Sequence, residues 1–134
     1  VDKWKSNIQQ TAESTSTDPV LLATIMQMES NGNPNAINHN NNGTTDYGIM
    51  QVNSDTAKEM GFDIHRLQTD PDYNMWAAAQ EVKAKQATAK RIGLDPNDPF
   101  NIFWLYNGYS AQGKKYAQKA MDIYNSLQAS NGAT

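Results

Sequence analysis

Met28-Glu29-Ser30-Asn31-Gly32-Asn33-Pro34-Asn35-Ala36 closes an apolar segment, and Thr45-Asp46-Tyr47-Gly48-Ile49-Met50-Gln51-Val52-Asn53 follows across a polar loop. The apolar segment opens at Asp18-Pro19, an acidic residue able to cap a helix and a proline suited to its first position. Val20, Leu21, Leu22, Ile25, Met26 and Met28 would cover most of such a helix, so it is expected to be buried and central, stopping at Asn31-Gly32. Glu29 then falls in its last turn, where partial burial and the negative end of the helix dipole both disfavour the ionised carboxylate and raise its pKa. A carboxylic acid still protonated near neutral pH can protonate a glycosidic oxygen as the bond breaks, and the second string adds amides and a second carboxylate, Asp46. Taken alone, a Glu at a helix end is more commonly a solvated surface group; the two strings together point to acid-catalysed cleavage of a sugar chain.

Working outward, Asp-Pro recurs at Asp70-Pro71, Asp95-Pro96 and Asp98-Pro99, and three of the four pairs open helical patterns. From Pro71, the residues Met75, Trp76, Ala79, Val82, Gln86 and Ala89 mark a one-sided stripe on a long helix ending before Gly93. Phe100, Phe103, Trp104 and Tyr106 mark a short aromatic helix broken at Asn107-Gly108, and Tyr116, Ala120, Ile123, Tyr124 and Leu127 mark the last one. Trp4, Ile8 and Ala12 suggest an amphipathic opening helix. Residues 31 to 48 are rich in Asn and Gly and read as turns. The expected fold is mainly α, with β structure at most in a short irregular hairpin near 37–50. One domain over residues 1–128 is expected, with 129–134 a flexible tail or the start of a linker.

The chain has 134 residues, no cysteine and a net charge of -3. Disulfides, thiolate metal sites and cysteine nucleophiles are therefore excluded. The acidic balance argues against nucleic acid as a partner, and Lys83, Lys85, Lys90 and Arg91 read as a solvated helix face. No apolar stretch approaches a membrane span of about 20 residues. Val1 is not preceded by a leader, so the expectation is a processed protein or a domain cut from a larger one.

Met28-Glu29-Ser30 with Asn-Pro-Asn-Ala, then Tyr47-Gly48-Ile49-Met50-Gln51, then Tyr106-Asn107-Gly108 before a final helix, resembles the lytic transglycosylases of the lysozyme superfamily. The resemblance runs in order over about residues 18–127 and implies a lysozyme-like fold. It implies cleavage of the β-1,4 bond between N-acetylmuramic acid and N-acetylglucosamine in peptidoglycan, with Glu29 as acid and then base and 1,6-anhydro ends as product. It also implies that Ser30 orients the glycan or Glu29, and that Met50 and Gln51 line a groove formed by the Glu29 helix, the 44–53 turn and the Tyr106 region. The Tyr106 hydroxyl would bond the carboxyl or the substrate's acetamido group, although an aromatic in such a run is as readily packing; Asn107 binds substrate or caps its helix. Gly48 would allow close approach of a sugar or a positive φ, and Tyr47 and Asn53 are weaker candidates for substrate binding.

Thr45-Asp46-Tyr47-Gly48-Ile49 is also similar to the string that carries the second carboxylate of C-type lysozymes. Asp46 is therefore either a second catalytic carboxylate, in a muramidase that hydrolyses the same bond, or a turn residue bonding its own backbone. Asn38 to Gly43 loosely mimics a calcium loop, but Ile49 stands where a bidentate Glu is needed. His39 and His65 are separated by the candidate turn, and no serine sits in a nucleophile elbow, so no metal, no cofactor and no serine-hydrolase chemistry are expected. The implied setting is extracytoplasmic (cell wall, periplasm or secreted) or a phage virion, as a monomeric domain of a larger wall-turnover, secretion, conjugation or phage-tail protein.

Overall fold

A computed structural model of the protein describes residues 1–132. Among these residues, a 3-10 turn at Asp2–Trp4 precedes seven α-helices: α1 Lys5–Thr15, α2 Pro19–Glu29, α3 Ser54–Met60, α4 Ile64–Thr69, α5 Pro71–Arg91, α6 Pro99–Asn107 and α7 Ala111–Gly132. Three short strands, β1 Ile37–His39, β2 Thr45–Tyr47 and β3 Val52–Asn53, form one antiparallel sheet in that order. The expected hairpin is present, and a third strand joins it because the turn after Tyr47 doubles the chain back and pairs Tyr47 with Val52 and Asp46 with Asn53. Contacts group the chain into two compact units, residues 1–79 and the chain from Gln80 on, with α5 running from one into the other.

In the first unit the core is built around α2. Asp18 caps it by accepting the Val20 N–H at 2.9 Å, and Leu22, Ile25 and Met26 are fully buried. α1 packs on α2, and the Trp4 indole N–H reaches the Gly32 carbonyl at 2.9 Å, tying the start of the chain to the loop after α2. Helix α2 ends at Glu29; Ser30 is its C-terminal cap residue, and Asn31 and Gly32 follow with positive φ, as the Asn-Gly pair implied.

The buried stripe on α5 differs from the expected one, with Gln86 only half-buried. Met75, Ala79, Val82 and Ala89 are buried, but Trp76 is 40% exposed and stacks on Tyr73 at 5.4 Å between ring centroids. Successive helical residues are about 100° apart, so the burial of Met75 turns Trp76 toward the flank. Asn74, Ala77, Ala78 and Glu81 are buried in its place. Lys83, Lys90 and Arg91 are exposed and Lys85 half-buried.

In the second unit, Asp98 caps α6 through the Phe100 N–H at 3.0 Å, and the helix ends where Gly108 returns its N–H to the Trp104 carbonyl at 2.9 Å. Phe103 is fully buried and meets Tyr124 of α7 edge-on. Asp95-Pro96 is the pair that opens no helix; the Asp95 side chain instead accepts the Asn97 N–H in a turn. Helix α7 continues to Gly132, so residues 129–132 are helical where a tail was expected, and residues 133 and 134 lie outside the described residues. No helix among the described residues is long and apolar enough to cross a membrane.

Candidate active site

Glu29 is half-buried at the C-terminal end of α2, and the residue after it fastens that end to the second motif. The Ser30 hydroxyl donates to the Ile49 carbonyl at 2.6 Å, and its oxygen accepts the N–H groups of Gly32 at 3.2 Å and Asn33 at 3.1 Å. One side chain thus supplies a partner for two N–H groups of the loop and bonds a segment nineteen positions away. The two strings read from the sequence are brought together here by a direct hydrogen bond.

The Tyr47 to Gln51 turn is held from several sides. Gly48 has φ 76° and donates its N–H to the Ala36 carbonyl at 2.8 Å. A Cβ at this position would collide with the Asn74 amide and lie 2.7 Å from the Leu67 carbonyl. The close approach that requires glycine is therefore made by the protein's own groups. Gln51 is only 8% exposed, and its amide donates to the carbonyls of Gly48 at 2.9 Å and Ala36 at 3.0 Å while accepting from Asn38 at 2.6 Å. It also has φ 53°, a left-handed conformation that costs a non-glycine residue about 1–2 kcal/mol and is retained because these bonds hold it. Met50 is fully buried. Both side chains turn away from solvent, and the Gln51 amide holds the turn from inside.

Asp46 lies in β2 opposite Asn38 and Asn53. Its Oδ1 accepts the Asn53 amide at 2.8 Å and its Oδ2 the Asn40 amide at 3.1 Å. The Thr44 hydroxyl accepts from the same two amides, at 3.0 Å and 3.1 Å, and donates to Asn42 Oδ1 at 2.7 Å. Asn53 Oδ1 meanwhile caps α3 through the Asp55 N–H at 2.9 Å. The carboxylate is thus held by side-chain amides on both oxygens.

The family model of the transglycosylase SLT domain matches residues 6–129, nearly the whole chain. The chain belongs to that family. Its helices and small antiparallel sheet are the lysozyme-like architecture. Protein IpgF of Shigella flexneri is 43% identical over 63 residues, covering 45% of this chain and 41% of the relative. Invasion protein IagB of Salmonella typhimurium strain SL1344 is 46% identical over 54 residues, covering 38% and 34%. Lysozyme C of Takifugu rubripes is 60% identical over 30 residues, covering 22% and 21%. The matched segments span less than half the length of each of these relatives.

In the second unit of the SLT domain, Tyr106 is half-buried in the last turn of α6 and Asn107 is the exposed final residue of that helix. Just beyond them Tyr109 is 55% exposed and packs on Trp104 at 4.4 Å between centroids, with Lys114 over the indole. Tyr47 is half-buried in β2. Three site-forming residues escaped the sequence reading: Asn38, Asn40 and Asn74. Asparagines in a polar loop read as turn formers, and Asn74 on a helix has no pattern that marks it; only their hydrogen bonds reveal them.

Proposed function

We propose that this SLT domain cleaves the β-1,4 bond between N-acetylmuramic acid and N-acetylglucosamine in peptidoglycan, leaving 1,6-anhydro ends. The observation that carries this reading is the Ser30 to Ile49 hydrogen bond of 2.6 Å, which fixes the end of the Glu29 helix against the turn bearing the second family motif. Membership of the transglycosylase family supports the same chemistry.

In this mechanism the Glu29 carboxylic acid gives its proton to the glycosidic oxygen as the C1–O bond breaks. The acetamido group of the substrate stabilises the cationic C1. The Glu29 carboxylate then takes the proton of the C6 hydroxyl, whose oxygen closes on C1. Glu29 ends protonated as it began, and no water is consumed. Tyr106 and Asn107 keep the substrate-facing roles that their family motif implies, with Tyr47 and Asn53 at the hairpin. The substrate places the working site outside the cytoplasm, in a wall, periplasm or virion.

A second reading is favoured by one observation, the amide cradle around Asp46, together with the identity to a lysozyme C over the short segment. A carboxylate held by donors on both oxygens is suited to stabilise the cationic C1 while water attacks, which would make the protein a muramidase.

Mass spectrometry of muropeptides released from purified peptidoglycan decides between them. Products lighter by one water than the reducing forms establish the transglycosylase; reducing muramic acid ends establish the hydrolase. Glu29→Gln is expected to lower the rate by about two orders of magnitude or more under either reading. Full activity in that variant would remove Glu29 from the chemistry.

A further inference from the structure

Asn74 sits in the first turns of α5, is fully buried, and engages both ends of its side-chain amide. Its Oδ1 accepts the Met50 N–H at 2.9 Å, and its Nδ2 donates to the carbonyls of Tyr47 at 2.8 Å and Leu67 at 3.0 Å. An asparagine amide offers two N–H donors and one carbonyl oxygen, so both donors are used and the oxygen is engaged. The Leu67 carbonyl belongs to the last turn of α4, a group left without an intrahelical partner. Tyr47 is the last residue of β2 and Met50 lies in the turn that follows it, so a single side chain ties the end of the strand to the turn. Between them, Ile49 carries the carbonyl that accepts the Ser30 hydroxyl, and Ser30 directly follows Glu29. The absence of a Cβ at Gly48 is what lets the Asn74 amide approach so closely.

We infer that Asn74 is a positioning residue for Glu29, acting through the 47–50 turn and the Ser30 hydroxyl. The inference rests on the acid–base role proposed for Glu29. The path from Asn74 to Glu29 runs through two hydrogen-bonded contacts and a short piece of backbone, with no long side chain that could absorb a shift. Displacing the turn moves the Ile49 carbonyl, releases or re-aims Ser30, and changes where the Glu29 carboxyl stands relative to the scissile oxygen. A displacement of about 1 Å at a reacting group can cost roughly a hundredfold in rate. Substrate affinity, set by groups that contact the glycan, changes little.

The test is steady-state kinetics of Asn74→Ala on a soluble glycan oligomer prepared from peptidoglycan, with the pH dependence of kcat and amide hydrogen exchange at Met50. The inference expects kcat to fall by about tenfold or more with KM within about twofold, and the pH profile to move by about half a unit or more. A folded variant with the parent's kcat and profile overturns it. A merely structural role would reduce the active fraction alike at every pH and leave KM and the profile in place, which also overturns it. If the alanine variant does not fold, Asn74→Asp, which keeps an acceptor for Met50 and removes both donors, is measured in the same way; failure of both to fold assigns Asn74 to global stability and overturns the inference. A parent chain that releases no product would instead count against the proposed function. Met50 exchange then decides the contact separately: about tenfold faster exchange in the variant supports the hold on the turn, and unchanged exchange overturns it.

Discussion

At the scale of single residues, the candidate site is a set of small polar groups with nearly every hydrogen bond used. Ser30, Gln51, Asn53 and Asn74 each engage two or more partners across different segments. Gly48 is the residue on which this packing is least forgiving. Gly48→Ala would place a β-carbon against the Leu67 carbonyl at φ 76°, and a loss of roughly 2–4 kcal/mol is expected from left-handed strain and overpacking together. Urea unfolding of the variant measures it, and a loss below about 1 kcal/mol would mean that the turn relaxes without cost. Glu29 and Ser30 stood out in the sequence because their string is short and local. Met50 and Gln51 were legible as important residues, but their burial was not, because inward or outward orientation at a turn depends on φ and on partners distant in the chain.

At the scale of elements, side-chain caps mark where α2, α3, α4 and α6 start, and their energies are open to measurement. Asp18 accepts the Val20 N–H at the start of α2, so Asp18→Ala is expected to cost about 1 kcal/mol of stability. Thermal unfolding checks this, and an unchanged midpoint would show that Pro19 alone sets the helix start. Before α5, the N–H of Tyr73 bonded to Asp70 lowers the pKa of that carboxyl, with burial opposing and the Arg66 guanidinium at 3.2 Å adding to the lowering. A folded value below the unfolded one means that Asp70 stabilises the protein above the unfolded pKa and that the contribution is lost as pH falls through the folded value. Asp70→Asn should therefore unfold at a lower temperature than the parent at pH 7, with the gap closing at low pH as the parent's carboxyl is protonated. Because the pair is exposed the gap is small, and a gap equal at both pH values would count against the charge as its source. The Asp-Pro pairs and apolar spacings made most of these helices readable. Trp76 was misplaced because its apolar character fitted a stripe that its rotation around the helix does not join.

At the scale of the whole molecule, the net charge of -3 argues against attraction to anionic polymers as the source of wall binding. Raising ionic strength from low salt to about 0.15 M, where charges are screened beyond about 8 Å, is expected to leave co-sedimentation with purified walls unchanged or slightly stronger. A marked loss of binding would assign attachment to the exposed basic residues of α5, Lys83, Lys90 and Arg91.

The sequence by itself determined the class of fold, the starts of α2, α5 and α6, the stop of α2 before Asn31-Gly32 and the two motifs that carry Glu29 and Asp46. These are local properties, set by the period of apolar residues and by the conformational limits of Asp, Pro, Asn and Gly. Only the tertiary structure decided that Ser30 bonds Ile49, that Asn40 and Asn53 aim Asp46, that a third strand completes the sheet, and that the Asn74 amide occupies the space beside Gly48. Hydrogen bonds between side chains and distant backbone follow from how segments are brought together in space, and nothing in the spacing of residues along the chain encodes which asparagine meets which carbonyl.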